Sequence, residues 1–333
     1  MNIINHIYTY KNMMSNQKNV LEIAQDIKDI KIQSATNIAK AAFETIFTEL
    51  KNQTFNTFLE AYEFTKSSMK ILEAARPTEP MLFNGMSYIH SKIEPEIWKS
   101  DLKSFLKTAI NASETYYKMI TDTSEKAINN WVWIINYWDV VFTYCHSTSA
   151  VKTILANKKN WIDFIVFNWE TRPLYQWHKT AKDFLDAWIK VTMVTDNAAP
   201  FIIDDSDPMW LDINCVIIWC DAIKTNGSII NKIWSFWICS TAFHSKIPVY
   251  IAWNLLKTDI HNDVNIETRD FLEVRPDKPE DLEVINFAFD QIPAKYITWI
   301  ITEFWIIKPS DIKETVMKKY PWMIESKSRN ERL

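Results

Sequence analysis

Asp139-Val140-Val141-Phe142-Thr143-Tyr144-Cys145 decides the fold, because it is a short β-branched, continuously apolar run followed at once by a helical pattern. Working outward, residues 148–159 (TSAVKTILANKK) read as a helix, 163–167 (DFIVF) as a strand, 174–187 (LYQWHKTAKDFLDA) as a helix and 190–194 (KVTMV) as a strand. Residues 215–220 (CVIIWC) then read as a strand, 228–246 (SIINKIWSFWICSTAFHSK) as a helix and 248–252 (PVYIA) as a strand. Apolar strands separated by helices of this length predict a parallel sheet covered on both faces.

Upstream the period changes. Residues 20–30, 35–52, 54–75 and 100–128 place apolar side chains three and four apart, so the chain from 17 to about 130 reads as helical. Its one irregular stretch, Ala75-Arg76-Pro77-Thr78-Glu79-Pro80, holds two prolines and reads as a loop between helices. The expected architecture is an all-α helical domain over 1–130 followed by a doubly wound, mostly parallel Rossmann-like α/β domain over 131–333. The turn after the first strand, Cys145-His146-Ser147-Thr148-Ser149, has no GxGxxG, which removes the main support for a nicotinamide-binding reading.

The composition is unusual. Sixteen tryptophans stand against two glycines, where average usage gives roughly twenty glycines in a chain of this length. Trp188 follows the helical run KDFLDA at a helix C′ position, where a left-handed backbone is common and glycine belongs. Trp138 raises the same conflict in the turn before Asp139, and Trp305 raises it between a helical segment and Ile306-Ile307-Lys308-Pro309. The expectation is that many of these tryptophans stand for glycine, as when a gene that reads UGA as glycine is translated with UGA as tryptophan. UGG codons at 138, 188, 219, 234 and 305 would exclude it. The competing reading keeps the indoles as ordinary core and turn residues.

Charge and cysteine usage bound the function. A net charge of −4 spread along the chain, with only a short basic tail at Lys327 to Arg332, offers no nucleic-acid footprint. No run approaches a membrane span and Met1 to Met14 lacks a secretory pattern, so a soluble cytoplasmic protein without membrane partners is expected. Cys145, Cys215, Cys220 and Cys239 form no CxxC pair and the six histidines are scattered, so reduced thiols and no metal site are expected.

In an open parallel sheet, ligands bind beyond the carboxyl ends of the strands. Cys145 ends the first strand and precedes Ser147, Thr148 and Ser149 at a helix N-terminus, whose free N–H groups suit a phosphate and lower a nearby thiol's pKa. Asp221 follows the strand 215–220 and shares the crevice if the two strands are neighbours, while Arg172 offers a cation for bidentate phosphate binding. Each has a plainer reading: a buried small thiol, a helix cap, and a surface ion pair with Glu170. Position alone stops at a phosphate-binding α/β domain.

At these residues the chain resembles the sugar-phosphate isomerases related to the regulatory subunits of initiation factor 2B. The resemblance runs from about residue 20 to 320 through Ala75–Pro80, Cys145, Glu170-Thr171-Arg172-Pro173, Thr180-Ala181-Lys182, Cys220–Ile223, Asn226–Ile233, Phe287–Asp290 and Ile301-Thr302-Glu303. The family carries glycine where Trp138, Trp177, Trp188, Trp219, Trp234 and Trp305 stand. The resemblance implies a cofactor-free isomerisation of ribose 1,5-bisphosphate to ribulose 1,5-bisphosphate, in AMP salvage toward carbon fixation. It implies that Cys145 is the base at C2 and Asp221 the acid that protonates the ring oxygen, with a raised pKa, and that Arg76, Ser147, Thr148, Ser149, Asn231, Lys232 and Lys257 hold substrate.

Gln33-Ser34 replaces the arginine-glycine pair that contributes to a phosphate site in such isomerases; Tyr144 and His146 replace a histidine and an asparagine, and Ala252-Trp253-Asn254 lacks an acidic residue. Two other readings share the architecture: a non-catalytic sugar-phosphate-sensing subunit of the initiation factor type, and methylthioribose-1-phosphate isomerase. The pairing of Cys145 with Asp221 favours an enzyme over the former, and the ARPTEP loop with Ile229-Ile230 favours a bisphosphate over the latter. A homo-oligomer is implied, dimers built through the α/β domain and assembled into hexamers.

Overall fold

The computed structural model describes residues 18–325, apart from 131–133, 159–161, 205–211, 263, 265 and 267. The chain divides into two compact units, one over the described residues up to Ile120 and one from Thr121 to Ile324. The first holds α1 (Val20–Lys28), α2 (Ala35–Asn52), α3 (Phe58–Ala75), α4 (Pro80–Ile97) and most of α5 (Leu102–Asn129).

Local chemistry starts these helices. Asn19 Oδ1 accepts from the Glu22 N–H at 3.0 Å and Glu22 Oε2 accepts from the Asn19 N–H at 2.8 Å, a reciprocal cap on α1. Thr57 Oγ1 accepts from the Glu60 N–H at 3.2 Å before α3, and Pro80 takes the first position of α4, where no N–H is needed. Gly85 lets α4 approach its neighbours closely, since a Cβ there would lie 2.2 Å from Phe43 Cζ and 2.4 Å from Tyr116 Cε1.

The second unit is built on β1 (Val140–Thr143), α6 (Thr148–Lys158), β2 (Ile165–Trp169), α7 (Trp177–Asp186), β3 (Lys190–Val194), α8 (Ala199–Ile203) and β4 (Cys215–Trp219). It continues with β5 (Ala222–Lys224), β6 (Ile229–Lys232), α9 (Ser235–His244), β7 (Val249–Ala252), β8 (Thr258–Asp259), β9 (Thr268–Arg269), β10 (Asn286–Phe287), β11 (Phe289–Ile292), β12 (Trp299–Ile301) and β13 (Ile306–Ile307). The main sheet runs β13-β12-β7-β4-β1-β2-β3, parallel except for β13. Val141, Phe142, Val166, Val216, Ile217 and Ile218 are all at 0% exposure, which explains the unbroken apolar runs: both faces are covered, at about 1.5–3 kcal/mol of favourable burial for each large side chain. Because β2 and β3 lie to one side of β1 while β4, β7 and β12 lie to the other, the strand order reverses at the β1/β4 junction.

One expected helix is corrected. Residues 228–246 do not form a single helix: Ile229–Lys232 is strand β6, in a second sheet of order β11-β6-β5-β8, and only Ser235–His244 is helical. Two β-branched residues after the turn at Asn226-Gly227 favour the hairpin, and Gly227 takes a left-handed φ of 80° there. A Cβ at Gly227 would also lie 2.4 Å from the Pro309 carbonyl oxygen.

Trp138, Trp188 and Trp234 have φ of 70°, 60° and 87°, three of the twelve non-glycine residues with left-handed backbone among those described. Trp188 is the C′ residue of α7: the Ile189 N–H donates to the Phe184 carbonyl at 3.0 Å, the six-to-one bond of a Schellman end. Trp305 departs from expectation. It lies between two strands, β12 and β13, rather than after a helix, and its backbone is not left-handed.

Candidate active site

Cys145 sits two residues beyond the end of β1 and Asp221 two residues beyond the end of β4, and these strands are hydrogen-bonded neighbours, with Val141 opposite Cys215 and Phe142 opposite Val216. The two groups therefore emerge together at the strand-order reversal, where an open parallel sheet leaves a crevice. Cys145 is 4% exposed and takes φ 62°, a sharp turn fixed from α7 by Thr180, whose hydroxyl donates to the Cys145 carbonyl at 2.8 Å. The same hydroxyl lies 2.9 Å from His146 Nδ1.

Burial pushes the Cys145 thiol up to about 12; the Lys232 ammonium pulls it down, and the carboxylates of Asp221 and Asp196 push it up further. Thiol, lysine and both carboxylates thus share one electrostatic neighbourhood. Cys145 Sγ donates to Gln176 Oε1 at 3.0 Å. Gln176 was not singled out from the sequence, since a neutral amide carries no titratable signature; its place six residues after Glu170, in the loop leading into α7, was the available clue.

Asn231 and Lys232 end β6 and are almost wholly buried. Asn231 Nδ2 donates to Ser235 Oγ at 2.8 Å, while Asn231 Oδ1 is buried and accepts no hydrogen bond. Lys232 Nζ lies 5.0 Å from the centre of the Phe289 ring. Tyr144, buried beside the thiol, donates its hydroxyl to the Ile233 carbonyl and so ties the end of β1 to the segment after β6. Lys257 lies in the turn Leu255–Lys257, its Nζ 5.5 Å from the Trp253 ring centre, and it acts electrostatically on Cys220, the residue before Asp221. That turn is held by Glu303 Oε2, which accepts from the Leu255 N–H at 3.1 Å; Glu303 is buried, its carboxyl raised chiefly by burial.

Ser147 and Thr148 open α6, with the Ser147 carbonyl accepting from the Val151 N–H at 2.9 Å. The Ser149 side chain lies outside the described residues. Arg172 is exposed, donating to Tyr175 Oη at 2.7 Å and to the Val274 carbonyl at 3.4 Å, in place of an ion pair with Glu170. Its loop is anchored by Asp196, whose carboxylate accepts from the N–H groups of Thr171 at 2.9 Å and Arg172 at 2.7 Å.

Gln33, Ser34 and Arg76 belong to the helical unit. Gln33 is exposed and donates to the Ile30 carbonyl at 2.9 Å; Ser34 caps α2 with a left-handed φ of 70°. Arg76 follows α3, its Nε 3.8 Å from Glu79 Oε1. Among the described residues, no group of three or more His, Cys, Asp or Glu is placed to hold a metal ion, and no helix is long and apolar enough to cross a membrane.

The Initiation factor 2 subunit family matches residues 31–309 of the chain. The chain is 32% identical over 320 residues to ribose 1,5-bisphosphate isomerase of Pyrococcus furiosus, covering 92% of this chain and 95% of that protein. It is 31% identical over 319 residues to methylthioribose-1-phosphate isomerase of Petrotoga mobilis, covering 88% of each. Among solved structures, translation initiation factor eIF-2B of Pyrococcus horikoshii OT3 superposes with a TM-score of 0.73 at 20% identity, over 87% of this chain and 97% of that one.

Proposed function

The chain belongs to the Initiation factor 2 subunit family and is a sugar-phosphate isomerase, and from that premise we propose that it converts ribose 1,5-bisphosphate to ribulose 1,5-bisphosphate through proton transfers by Cys145 and Asp221. The observation that carries the reading is a buried thiol and a carboxyl just beyond the ends of neighbouring strands, with Lys232 and Asp221 both acting on the thiol.

Esterified at C1, the sugar has no free aldehyde, so its ring must open before the carbonyl can migrate. Asp221 in its acid form gives its proton to the ring oxygen as the bond from that oxygen to C1 breaks. Cys145 as thiolate takes the proton from C2, leaving an enediol-type intermediate between C1 and C2. The new thiol then protonates C1 while the Asp221 carboxylate takes the proton of the C2 hydroxyl. The product is a 2-ketose, and both groups return to their starting forms.

Burial is the main force that holds the thiol protonated, and an Asp221 carboxylate adds to it; a proton on Asp221 removes that addition, and Lys232 favours the thiolate. Lys232, Asn231, Lys257 and the start of α6 supply cations, an amide and N–H groups for the phosphates and hydroxyls, with Arg172 as a further candidate.

The test is turnover of ribose 1,5-bisphosphate in D₂O, followed by NMR of the product at C1. Cys145→Ser and Asp221→Asn are each expected to lower kcat by about 10²- to 10⁴-fold. Turnover of methylthioribose 1-phosphate alone would transfer the assignment to that substrate, and undiminished activity in either variant would overturn the proton-transfer roles.

A further inference from the structure

Asp290 stands on β11 directly opposite Asn231 of β6. Its Oδ2 accepts from the Phe236 N–H at 3.0 Å, and the Trp234 N–H also hydrogen-bonds its carboxyl. These are the first free N–H groups of α9, whose own cap residue, Trp234, supplies no side-chain acceptor. A carboxylate from another strand therefore caps the helix. Asp290 Oδ1 is buried without a hydrogen bond, and burial raises the carboxyl to about 7 against the pull of those N–H groups.

The segment so held is the one that carries two candidate substrate contacts. Ser235, the first residue of α9, donates its hydroxyl to the Lys232 carbonyl at 2.6 Å and accepts from Asn231 Nδ2 at 2.8 Å. Tyr144 grips the Ile233 carbonyl from the β1 side. Phe289, beside Asp290, lies against the Lys232 ammonium. Residues 231–236 are thus pinned from below by Tyr144, internally by Ser235 and at the helix end by Asp290, and only the last of these is a charged group outside the assigned proton-transfer pair.

We infer that Asp290 is a positioning residue of the isomerase site: by capping α9 it fixes Asn231 and Lys232 against the thiol of Cys145 and the sugar bisphosphate. This rests on the isomerase reading above. The small size of the turn makes it sensitive, because a displacement of about 1 Å in a substrate-positioning group costs up to roughly 100-fold in rate.

The experiment is a double-mutant cycle in kcat/KM for ribose 1,5-bisphosphate with Asp290→Ala, Lys232→Met and the two combined, with Asp290→Asn as the conservative variant. Asp290→Ala is expected to lower kcat/KM about 10- to 100-fold, chiefly through KM, and to add little once Lys232 is already methionine. Asp290→Asn, which keeps an acceptor for the helix N–H groups, is expected to restore most of the loss. Additive effects in the cycle would reduce Asp290 to an ordinary helix cap and overturn the inference, as would an Asp290→Ala enzyme with unchanged kinetics. If Asp290→Ala does not fold, Asp290→Ser runs the same cycle with the same two outcomes. An inactive wild type would remove the isomerase reading alone; the cycle is then read in calorimetric binding of ribose 1,5-bisphosphate, and absence of binding would overturn both.

Discussion

Replacing Trp188 by glycine should stabilise the protein, against the usual result of removing a tryptophan. The indole is 90% exposed, so its loss forfeits almost no burial. The backbone at Trp188 has φ 60°, and a left-handed conformation costs a residue with a Cβ about 1–2 kcal/mol. Glycine escapes that cost but gives back about 0.5–1 kcal/mol through the greater freedom of its unfolded chain. The net gain is about 0–1.5 kcal/mol, centred near 0.8 kcal/mol, or roughly 2–3 °C in Tm for a unit of this size. Trp98 is the control: its indole is 89% exposed, yet it sits in right-handed backbone at φ −70°, where glycine is expected to destabilise by about 0.5–1 kcal/mol. Thermal and urea melts of Trp188→Gly, Trp188→Ala and Trp98→Gly decide the matter. A Trp188→Gly protein no more stable than Trp188→Ala, or a Trp98→Gly protein stabilised equally, would refute the argument from backbone handedness. The same reasoning applies to Trp138, 71% exposed at φ 70°, and at the gene level it expects UGA codons at 138, 188 and 234.

Two further outcomes can be checked directly. Gly85→Ala places a methyl group 2.2 Å from Phe43 Cζ and should cost about 1–3 kcal/mol or more in a melt of the protein, because neither ring has room to retreat without disturbing α2 or α5. The Cys145 thiol, raised to about 12 by burial, should alkylate about tenfold faster for each pH unit between 7 and 10 with no plateau, as read by peptide mapping; a plateau below pH 10 would show a thiol already ionised in the empty site.

Among the described residues tryptophan supplies about a quarter of the left-handed non-glycine positions, while making up about a twentieth of the sequence. The sequence argument for Trp138 and Trp188 used only flanking residues, and it worked because helix ends and strand starts are local features. It failed at Trp305 for the same reason: Trp299–Ile301 is a three-residue strand too short to carry a period. Residues 228–246 misled similarly, since Ile229 and Ile230 fit either an apolar helix face or a fully buried strand, and the hairpin that chooses between them depends on pairing with β5 and β11. Helix Ala35–Asn52 was legible to the residue because it has one wet face, whereas Pro80–Ile97, buried on every side from Pro80 to Ser87, showed no such period and was given no bounds. At the candidate site, strand ends put Cys145 and Asp221 in one crevice only on the condition that β1 and β4 are neighbours, a long-range pairing that the structure supplies. Gln176 and Asp290 could not be found from strand ends, because what they do is set by partners 31 and 54 residues away in the chain.

The reversal of strand order has a consequence for how the enzyme comes into being. Strand β4 pairs with β1 although β2 and β3 come between them in the chain, so Cys145 leaves the ribosome 76 residues ahead of Asp221, the numbering difference between the two. A nascent chain halted before Cys215 already holds the Cys145 sulfur but not the carboxyl proposed to work with it. The proposed site is therefore completed late in synthesis, as Asn231, Lys232 and Lys257 follow Asp221 out of the ribosome.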